Sequence, residues 1–309
     1  MSRSYTPDEF LDPRQSRGEQ TRPRTNDAPR PPRSQSPGSS ENECPVARDN
    51  VWNVRGARSA ELRKQYQVRG KSYRLRTSEL RTLGELGKFR ALSIKDLEEF
   101  GYGGDTERAG ADVRNLARQG LVAEKPIPHP ESSPRRFLTL TKQGYVLLKD
   151  TNSLAANQVA HYGFTKPREA HHDADLYRLY YTAAEKIERQ GGRNLRVVLD
   201  YELKKRVYHE VAKLGRDRNS SEKKKEIAER HGLQCVKGKI PLPDLRIEYE
   251  TREGQMARVD LELATEHYRG RNLAEKVKAG FSIYAHAHDA VGLRRVLDQR
   301  ELTPEILSL

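Results

Sequence analysis

Residues 240–249 read IPLPDLRIEY and residues 257–264 read ARVDLELA, and these two runs decide the fold of the C-terminal half. A short polar turn separates them, which predicts a β-hairpin. Acidic and apolar residues alternate along the second run, so Asp260 and Glu262 share one face of the strand. Asp244 enters the first strand from the other end of the hairpin. The hypothesis that follows is a cluster of three carboxylates, which either holds a hard cation such as Mg²⁺ or stays in solvent.

The composition favours a polyanionic partner. The chain has 309 residues, 57 Lys+Arg against 44 Asp+Glu, a net charge of +13 and 35% hydrophobic residues. We expect no membrane association and no secretory signal, because no apolar run is long enough to span a bilayer and the N-terminus is polar. The two cysteines, Cys44 and Cys235, form neither a disulfide framework nor a zinc-ligand spacing. These features predict a cytoplasmic protein, and charge alone leaves DNA, RNA and other polyanions open.

The positive charge is concentrated in the second part of the chain. Residues 1–50 hold eight Arg against eight Asp+Glu, and eight of the sixteen prolines. Such a segment buries too little apolar surface to offset its ordering entropy, so residues 1–70 are predicted to be a disordered tail rich in Pro, Ser and Arg. Residues 51–150 hold 20 Lys+Arg against 12 Asp+Glu, an excess of +8. Nucleic acid is therefore expected to contact this second part.

Residues 71–150 begin with three helix signals. An amphipathic run follows Thr77, with leucines and a phenylalanine at helical spacing. Ser93 is placed to cap a short second helix. A third helix is predicted from a cap at Asp105 to a stop at Gly120, which has the residue type favoured just after a helix C-terminus.

Two strand-like runs follow the helices. Residues 121–125 and 136–140 enclose a Pro-rich loop, and a closing helix begins after residue 141. Three helices, a strand, a loop, a strand and a helix are the order of a winged helix-turn-helix. The sequence LTKQG at 140–144 also resembles the Leu-Thr-x-x-Gly motif that follows the wing in many bacterial winged-helix regulators. We therefore predict a winged helix-turn-helix DNA-binding domain over residues 71–150.

In that domain the third helix would be the recognition helix. Its arginines Arg108, Arg114 and Arg118 are predicted DNA contacts, together with Arg135 and Arg136 near the wing. Guanidinium groups at these places can bond phosphates or guanine edges. The alternative interpretation is a winged helix used for protein contacts, with these arginines on a solvated face.

A second domain is predicted over residues 171–309, after a polar linker at 151–170. A helix starts near His172-Asp173, and residues 196–203 read as a strand. An inserted charged helix and the hairpin follow, and a further helix lies near 271–285. The histidines at the start of the first helix are interpreted as a cap or an exposed surface rather than as metal ligands.

This order is similar to the PD-(D/E)xK nuclease-like fold, whose core is a helix, three strands, a helix and a last strand. Its acidic signature would fall on Pro243-Asp244 and on residues 260–262. A winged helix followed by such a domain resembles the replication-relaxation family of bacterial plasmid and mobile-element proteins, and Thr265-Glu266 and Lys276 agree with that family's pattern. The resemblance covers about residues 75–285 and implies a mixed α/β or α+β fold, with a three-stranded core in the second domain.

Two features depart from the nuclease pattern. The signature places a lysine two residues after the second acid, where it helps to position or polarise the attacking water. This chain has Glu262 or Ala264 at that place, so Lys276 or Lys278 of the following helix is the expected substitute. The closing strand is also absent from the sequence prediction, which gives a loop and a short helix over 285–309.

If the site is active, the resemblance implies that its catalytic residues are Asp244, Asp260, Glu262 and Lys276. The three carboxylates would then bind Mg²⁺, and no cofactor is required if the site is inactive. In the alternative interpretation, these carboxylates are ordinary solvent-side residues of a hairpin, paired with Arg246 and Arg258.

The predicted function is that of a DNA-binding protein of plasmid or mobile-element replication, mobilisation or regulation. Its winged helix would bind double-stranded DNA, and its nuclease-like domain would be inactive. One alternative is a Mg²⁺-dependent endonuclease. Another is an adaptor that binds a relaxase or a replication protein.

Overall fold

The structure is a computed structural model that describes residues 62–129, 132–155, 157–164, 166–215, 217, 220–264, 270–299 and 306–308. Within these residues the protein is a mixed α/β fold with a two-stranded, a three-stranded and a five-stranded sheet. The tail up to residue 61 lies outside the described residues, as do Thr265-Glu266 and residues 267–269.

A two-stranded antiparallel hairpin opens the described chain. Its strands are β1 (Lys64–Val68) and β2 (Lys71–Leu75), and we refer to them with their turn, Arg69-Gly70, as the basic ribbon. Apolar and polar residues alternate along both strands, so one face of the ribbon packs into the core. The prediction of a disordered tail up to residue 70 is therefore wrong for Lys64–Val68.

The next part packs helices on the three-stranded sheet. Its elements are α1 (Thr77–Phe89), β3 (Leu92–Ser93), α2 (Ile94–Asp96) with a π-helical turn (Leu97–Gly101), α3 (Thr106–Arg118), β4 (Val122–His129), β5 (Ser132–Leu140) and α4 (Lys142–Asp150). The sheet order is β3-β5-β4, and both pairs are antiparallel. The predicted succession of helices and strands is found here. Most of the Pro-rich segment predicted as loop instead extends the strands, since β4 is an edge strand where Pro126 and Pro128 are tolerated.

Local capping explains where these helices start and stop. The Asp105 carboxylate accepts a hydrogen bond from the Arg108 backbone N–H at 3.0 Å, at the start of α3. Gly120 follows α3 with a φ of 69°, the left-handed conformation that glycine adopts without strain. Thr141 caps α4 by accepting from the Gly144 N–H at 3.1 Å.

The C-terminal half is built around the five-stranded sheet. Its elements are α5 (Pro167–Arg189), β6 (Arg193–Leu199), α6 (Asp200–Lys213), α7 (Ser221–Arg230), β7 (Leu245–Glu250), β8 (Met256–Ala264), α8 (Gly270–Val277), β9 (Ser282–Ala285), α9 (Ala287–Asp298) and β10 (Ile306–Ser308). The sheet order is β10-β9-β8-β7-β6. Strands β6, β7 and β8 are antiparallel neighbours, whereas β9 runs parallel to β8 and β10 parallel to β9.

Two boundaries and two strands in this half differ from the sequence prediction. The strand predicted over 196–203 ends at Leu199, and α6 begins at once, with Leu203 and Val207 buried at helical spacing. The helix predicted to reach residue 285 ends at Val277. The four residues of β9 are all buried, so no polar alternation marks them as a strand. Strand β9 replaces the end of the predicted helix, and β10 lies in the range predicted as loop and short helix. The predicted three-stranded core is therefore wrong, since the described sheet has five strands.

The predicted linker is packed rather than free. The Gln158 side chain is buried, accepts from the Val197 N–H at 2.9 Å and donates to the Val197 carbonyl at 2.9 Å, which closes part of the edge strand β6. Ala160 is buried and α5 already begins at Pro167. The prediction of a linker over 151–170 is wrong in this respect. One apolar core contains residues from both halves, from Val68 to Tyr284.

Candidate functional site

Two of the predicted carboxylates lie side by side inside the five-stranded sheet. Asp244 immediately precedes β7, and Glu262 lies on β8. Leu245 is paired with Leu261 in antiparallel register, so the next pair in that direction is Asp244 and Glu262. Both side chains are buried, and Asp244 Oδ2 lies 3.5 Å from the donating N–H nitrogen of Leu263. We refer to these two residues as the acidic pair.

Lys276 belongs to the same site. It lies on α8, the helix that connects β8 to β9, and its side chain is buried. Burial lowers the pKa of Lys276 to about 8, while the negative charges of Glu262, Asp244 and Glu275 act in the opposite direction. The lysine is therefore close enough to the acidic pair for their charges to interact, whereas Lys278 is exposed beyond the end of α8.

Asp260 is engaged elsewhere. Its Oδ1 accepts from Arg246 Nε at 2.6 Å and its Oδ2 accepts from Arg246 Nη2 at 2.8 Å. The same guanidinium donates to the backbone carbonyls of His231 at 2.6 Å and Gly232 at 3.2 Å, so Arg246 is fixed from both sides. The interpretation as an ordinary ion pair thus fits Asp260, and the predicted cluster of three carboxylates is reduced to the acidic pair.

A histidine reaches the acidic pair from α5. The distance from His172 Nε2 to Asp244 Oδ1 is 3.4 Å, and about a third of the His172 side chain is exposed. Asp200, the first residue of α6, donates its backbone N–H to the Asp244 carbonyl at 3.2 Å. The sequence alone favours a cap or an exposed position for His172, because nothing local in the sequence connects it with Asp244.

The acidic pair has a donor set that suits a hard cation. Over the ranges that the structure describes, no group of three or more His, Cys, Asp or Glu side chains is arranged to hold a metal ion. The predicted ligand set of Asp244, Asp260 and Glu262 is not assembled, since Arg246 holds Asp260. Mg²⁺ at phosphoryl-transfer sites is commonly bound by only one or two carboxylates, with water and substrate phosphate as the remaining ligands. Asp244 and Glu262 fit that requirement.

The second candidate site is the outer face of α3. Ala109, Val113 and Leu116 of this helix are buried, and Arg114 and Arg118 project from the exposed face one turn apart. Arg118 Nε lies 3.4 Å from the Arg114 carbonyl, to which it donates. These two guanidinium groups therefore form a compact cationic surface.

A buried polar network fixes the inner face of α3. The Asp112 carboxylate is fully buried and accepts from Arg76 Nη1 at 2.8 Å, Ser78 Oγ at 2.6 Å and Tyr102 OH at 3.1 Å. The Tyr102 hydroxyl is also 2.7 Å from Thr82 Oγ1. A buried carboxylate with three donors is stable only in one arrangement of its partners, so α3 has a fixed orientation against α1.

The other predicted DNA-binding arginines lie elsewhere. Arg108 is half-buried and, six positions before Arg114, points about 120° away around the helix. Arg136 is exposed and forms an ion pair with Glu124 of the neighbouring strand. Arg135 is half-buried, and its charge acts on Asp96. The structure therefore brings together Arg114 and Arg118 but not the full set of five.

Helix α5 packs on both halves of the chain. Its N-terminal half contacts elements of the first half of the chain through three polar contacts: His171 Nε2 to the Pro128 carbonyl at 2.9 Å, Asp173 Oδ1 to Arg90 Nη2 at 2.6 Å, and Arg178 Nε to Asp96 Oδ1 at 2.7 Å. His172, between the first two of these residues, faces the acidic pair. The basic and acidic sites are therefore parts of one packed unit.

No protein-family model and no curated protein sequence matches this chain. The resemblance to the replication-relaxation family accordingly stays a prediction. Among the described helices, none combines the length and the apolar character needed to cross a bilayer.

Proposed function

We propose that this protein binds duplex DNA through α3. The observation that carries the proposal is the pair of exposed arginines, Arg114 and Arg118, on a helix whose opposite face is fixed by buried Asp112. Guanidinium groups one turn apart on a rigid helix are suited to contact phosphates and base edges in the major groove. The protein would thereby serve replication, mobilisation or regulation of a plasmid or mobile element, as the resemblance to the replication-relaxation family implies.

The arrangement around α3 supports this proposal. Helices α1, α2 and α3 precede the paired strands β4 and β5, and β3 adds the third strand of their sheet. A turn at 102–105 separates the π-helical end of α2 from α3. This succession is similar to that of a winged helix-turn-helix, in which the second helix of the pair enters the major groove, and it supports the proposal.

Fluorescence anisotropy with a labelled random-sequence duplex over a salt series tests the proposal. The association constant should fall steeply with salt, because protein cations displace counterions from the phosphates. Combined Arg114→Ala and Arg118→Ala changes should make the slope of log K against log salt shallower by about 2. Arg294→Ala with Arg295→Ala, two exposed positions on α9, removes the same charge and should leave the slope near the original value. Absence of salt-dependent duplex binding would refute the proposal.

A second candidate function is Mg²⁺-dependent cleavage of a DNA phosphodiester at the acidic pair. The observation that favours it is Lys276, which α8 buries beside Asp244 and Glu262 and which supplies the cation missing from the local motif. The acidic pair would hold Mg²⁺, and the bound ion would act as a Lewis acid toward the phosphate and its attacking water. Lys276 would hold a positive charge next to the same phosphate below about pH 8. His172, partly exposed at the edge of the site, can exchange a proton with solvent.

Nicking of supercoiled plasmid in the presence of Mg²⁺ tests this second function. Asp244→Asn and Glu262→Gln should each abolish nicking, because each removes a carboxylate charge without changing side-chain size. Asp298→Asn, an exposed acid on α9, is the matched control and should retain full activity. Nicking that survives in the Asp244→Asn and Glu262→Gln proteins would show that the activity arises elsewhere.

A further inference from the structure

The basic ribbon carries the densest run of positive charge in the described chain. Residues 62–76 contain no Asp or Glu and six basic residues: Arg63, Lys64, Arg69, Lys71, Arg74 and Arg76. Two of them are held by internal carboxylates, Arg63 by Glu79 at 3.2 Å and Arg76 by Asp112 at 2.8 Å. The other four are exposed. The excess of positive charge over residues 51–150 therefore lies largely on this hairpin.

The two faces of the ribbon have different chemistry. The inner face packs Tyr66, Val68, Tyr73 and Leu75 against the core, and Lys64 and Lys71 lie exposed on the same side at the strand ends. The outer face is exposed and carries only hydrogen-bonding side chains: Gln65, Gln67, Ser72 and Arg74. An exposed, twisted strand pair with amide, hydroxyl and guanidinium groups and no carboxylate is complementary to phosphate oxygens.

The ribbon is held in a fixed place beside α3. Gln119, the residue after Arg118, bonds both backbone groups of Arg74: its Oε1 accepts from the Arg74 N–H at 3.0 Å, and its Nε2 donates to the Arg74 carbonyl at 3.2 Å. This amide closes the outer edge of β2, which would otherwise be open to further strand pairing. The exposed charges of the ribbon and the arginines of α3 therefore keep a constant spacing.

The tip of the ribbon is a tight turn with a cation on it. Arg69 and Gly70 have φ values of 50° and 76°, the pattern of a two-residue type I′ turn. Arginine is not favoured at the first of these positions, where asparagine is the usual choice. Arg69 therefore occupies a position where the backbone conformation favours a different residue type.

We propose that the basic ribbon is a second DNA-contact element, which lies along the sugar-phosphate backbone of the duplex bound by α3. This inference rests on the proposed DNA binding and extends it to a named surface. Arg69 and Lys71 at the tip and Arg74 on the outer face contact phosphates, and α3 and the ribbon together neutralise a longer stretch of backbone than α3 alone. Contacts of this kind add affinity and fix the orientation of α3 without adding sequence preference.

The test is a variant that removes the charge but keeps the hairpin. Arg69→Asn matches the residue favoured in a type I′ turn, and Lys71→Thr with Arg74→Thr places a good strand former at each position. The triple variant should make the slope of log K against log salt shallower by about 2 to 3, and should weaken duplex binding roughly tenfold or more at moderate salt. Arg189→Ala, Arg294→Ala and Arg295→Ala together, all at exposed positions on α5 and α9, remove equal charge and should change the slope little.

The outcomes separate this inference from the proposed function. A triple variant that is folded by circular dichroism and has the original slope would overturn the role of the ribbon while leaving DNA binding by α3 intact. Failure of the unaltered protein to bind any duplex would overturn both. If the triple variant unfolds, Arg69→Asn alone decides the matter, because this change favours the turn and should reduce the slope by about 0.9 if its phosphate contact exists.

Discussion

At the scale of single residues, Lys276 is the cation on which the acidic pair depends. Its pKa falls from 10.5 to about 8 because burial penalises the charged form more than Glu262, Asp244 and Glu275 favour it. Between these two pH values the unfolded chain binds more protons than the folded one. The contribution of this lysine to the free energy of unfolding therefore rises as the pH increases from about 8 to 10.5.

Replacement of this lysine should have a pH-dependent effect on stability. Near neutral pH we expect Lys276→Met to change the free energy of unfolding least, because the loss of the attraction to the two buried carboxylates is offset by the loss of the penalty for burying the charged lysine. The stability of the unaltered protein relative to the variant should rise between pH 8 and 10.5, because only the unaltered protein gains stability from deprotonation of this side chain. Urea unfolding of both proteins at pH 7.5 and 9.5 measures the difference. A stability difference that stays constant, or that moves in favour of the variant as the pH rises, would contradict the lowered pKa.

Part of the acidic site can be predicted from the sequence, and part of it cannot. The alternation in ARVDLELA places Glu262 on a definite face, and the hairpin register brings Asp244 opposite to it. The loss of Asp260 to Arg246 could not be decided, because the alternation is the same whether a carboxylate meets a cation or a metal. His172 could not be assigned to the site, since its contact with Asp244 depends on how α5 packs.

At the scale of elements, α5 is fixed by pairs that bury carboxylates of other elements. Asp96 of α2 has no exposed surface and accepts from Arg178 Nε at 2.7 Å. Burial raises the pKa of Asp96 against the opposing effect of Arg178. The carboxylate therefore depends on the guanidinium for its charged state inside the protein.

We expect Arg178→Met to destabilise the protein by about 3 kcal/mol, because Asp96 stays buried without its cation. Adding Asp96→Asn should recover part of this loss, and the double-mutant cycle gives the interaction energy of the pair. Arg189→Met is the control on the same helix, since Arg189 and Glu185 form an exposed pair, and should cost less than about 0.5 kcal/mol. Equal losses for Arg178→Met and Arg189→Met would show that the buried pair has no special role.

A helix or strand can be predicted from the sequence when its local start, stop or periodicity signals are strong. Helix α3 was predicted with both ends, because Asp105 and Gly120 are strong start and stop residues. Strand β9 was missed, because four buried residues give no periodicity. The basic ribbon was missed although Tyr66, Val68, Tyr73 and Leu75 alternate around Arg69-Gly70. Its charge and its position next to a Pro-rich tail suggested disorder, and the apolar alternation was the stronger physical signal.

At the scale of the whole molecule, the two predicted domains share one apolar core. Leu83 of α1 and Leu261 of β8 belong to the same buried cluster, and α5 packs on both α1 and the five-stranded sheet. The segment predicted as a linker contributes Ala160 to this core. The sequence suggested separate domains because composition changes along the chain, whereas the contacts that unite them connect residues far apart in sequence.

A shared core should make the described part of the chain unfold cooperatively. We expect differential scanning calorimetry to give one transition, with a calorimetric enthalpy close to the van't Hoff enthalpy. The reason is that unfolding either half exposes apolar surface of the other. Two resolved transitions, or an enthalpy ratio well above one, would indicate that the halves unfold independently.

The second turn of α5 places a constraint on the length of the chain. His171 contacts the strand pair β4–β5 at the Pro128 carbonyl, and the next residue, His172, faces the acidic pair. Consecutive residues of a helix point about 100° apart, so each histidine reaches its own partner only in this rotational phase. An insertion or deletion of a single residue before them in the helix would turn both side chains by about 100° in the same sense and remove both contacts. The side chains of this turn can therefore vary more freely during evolution than the number of residues in it.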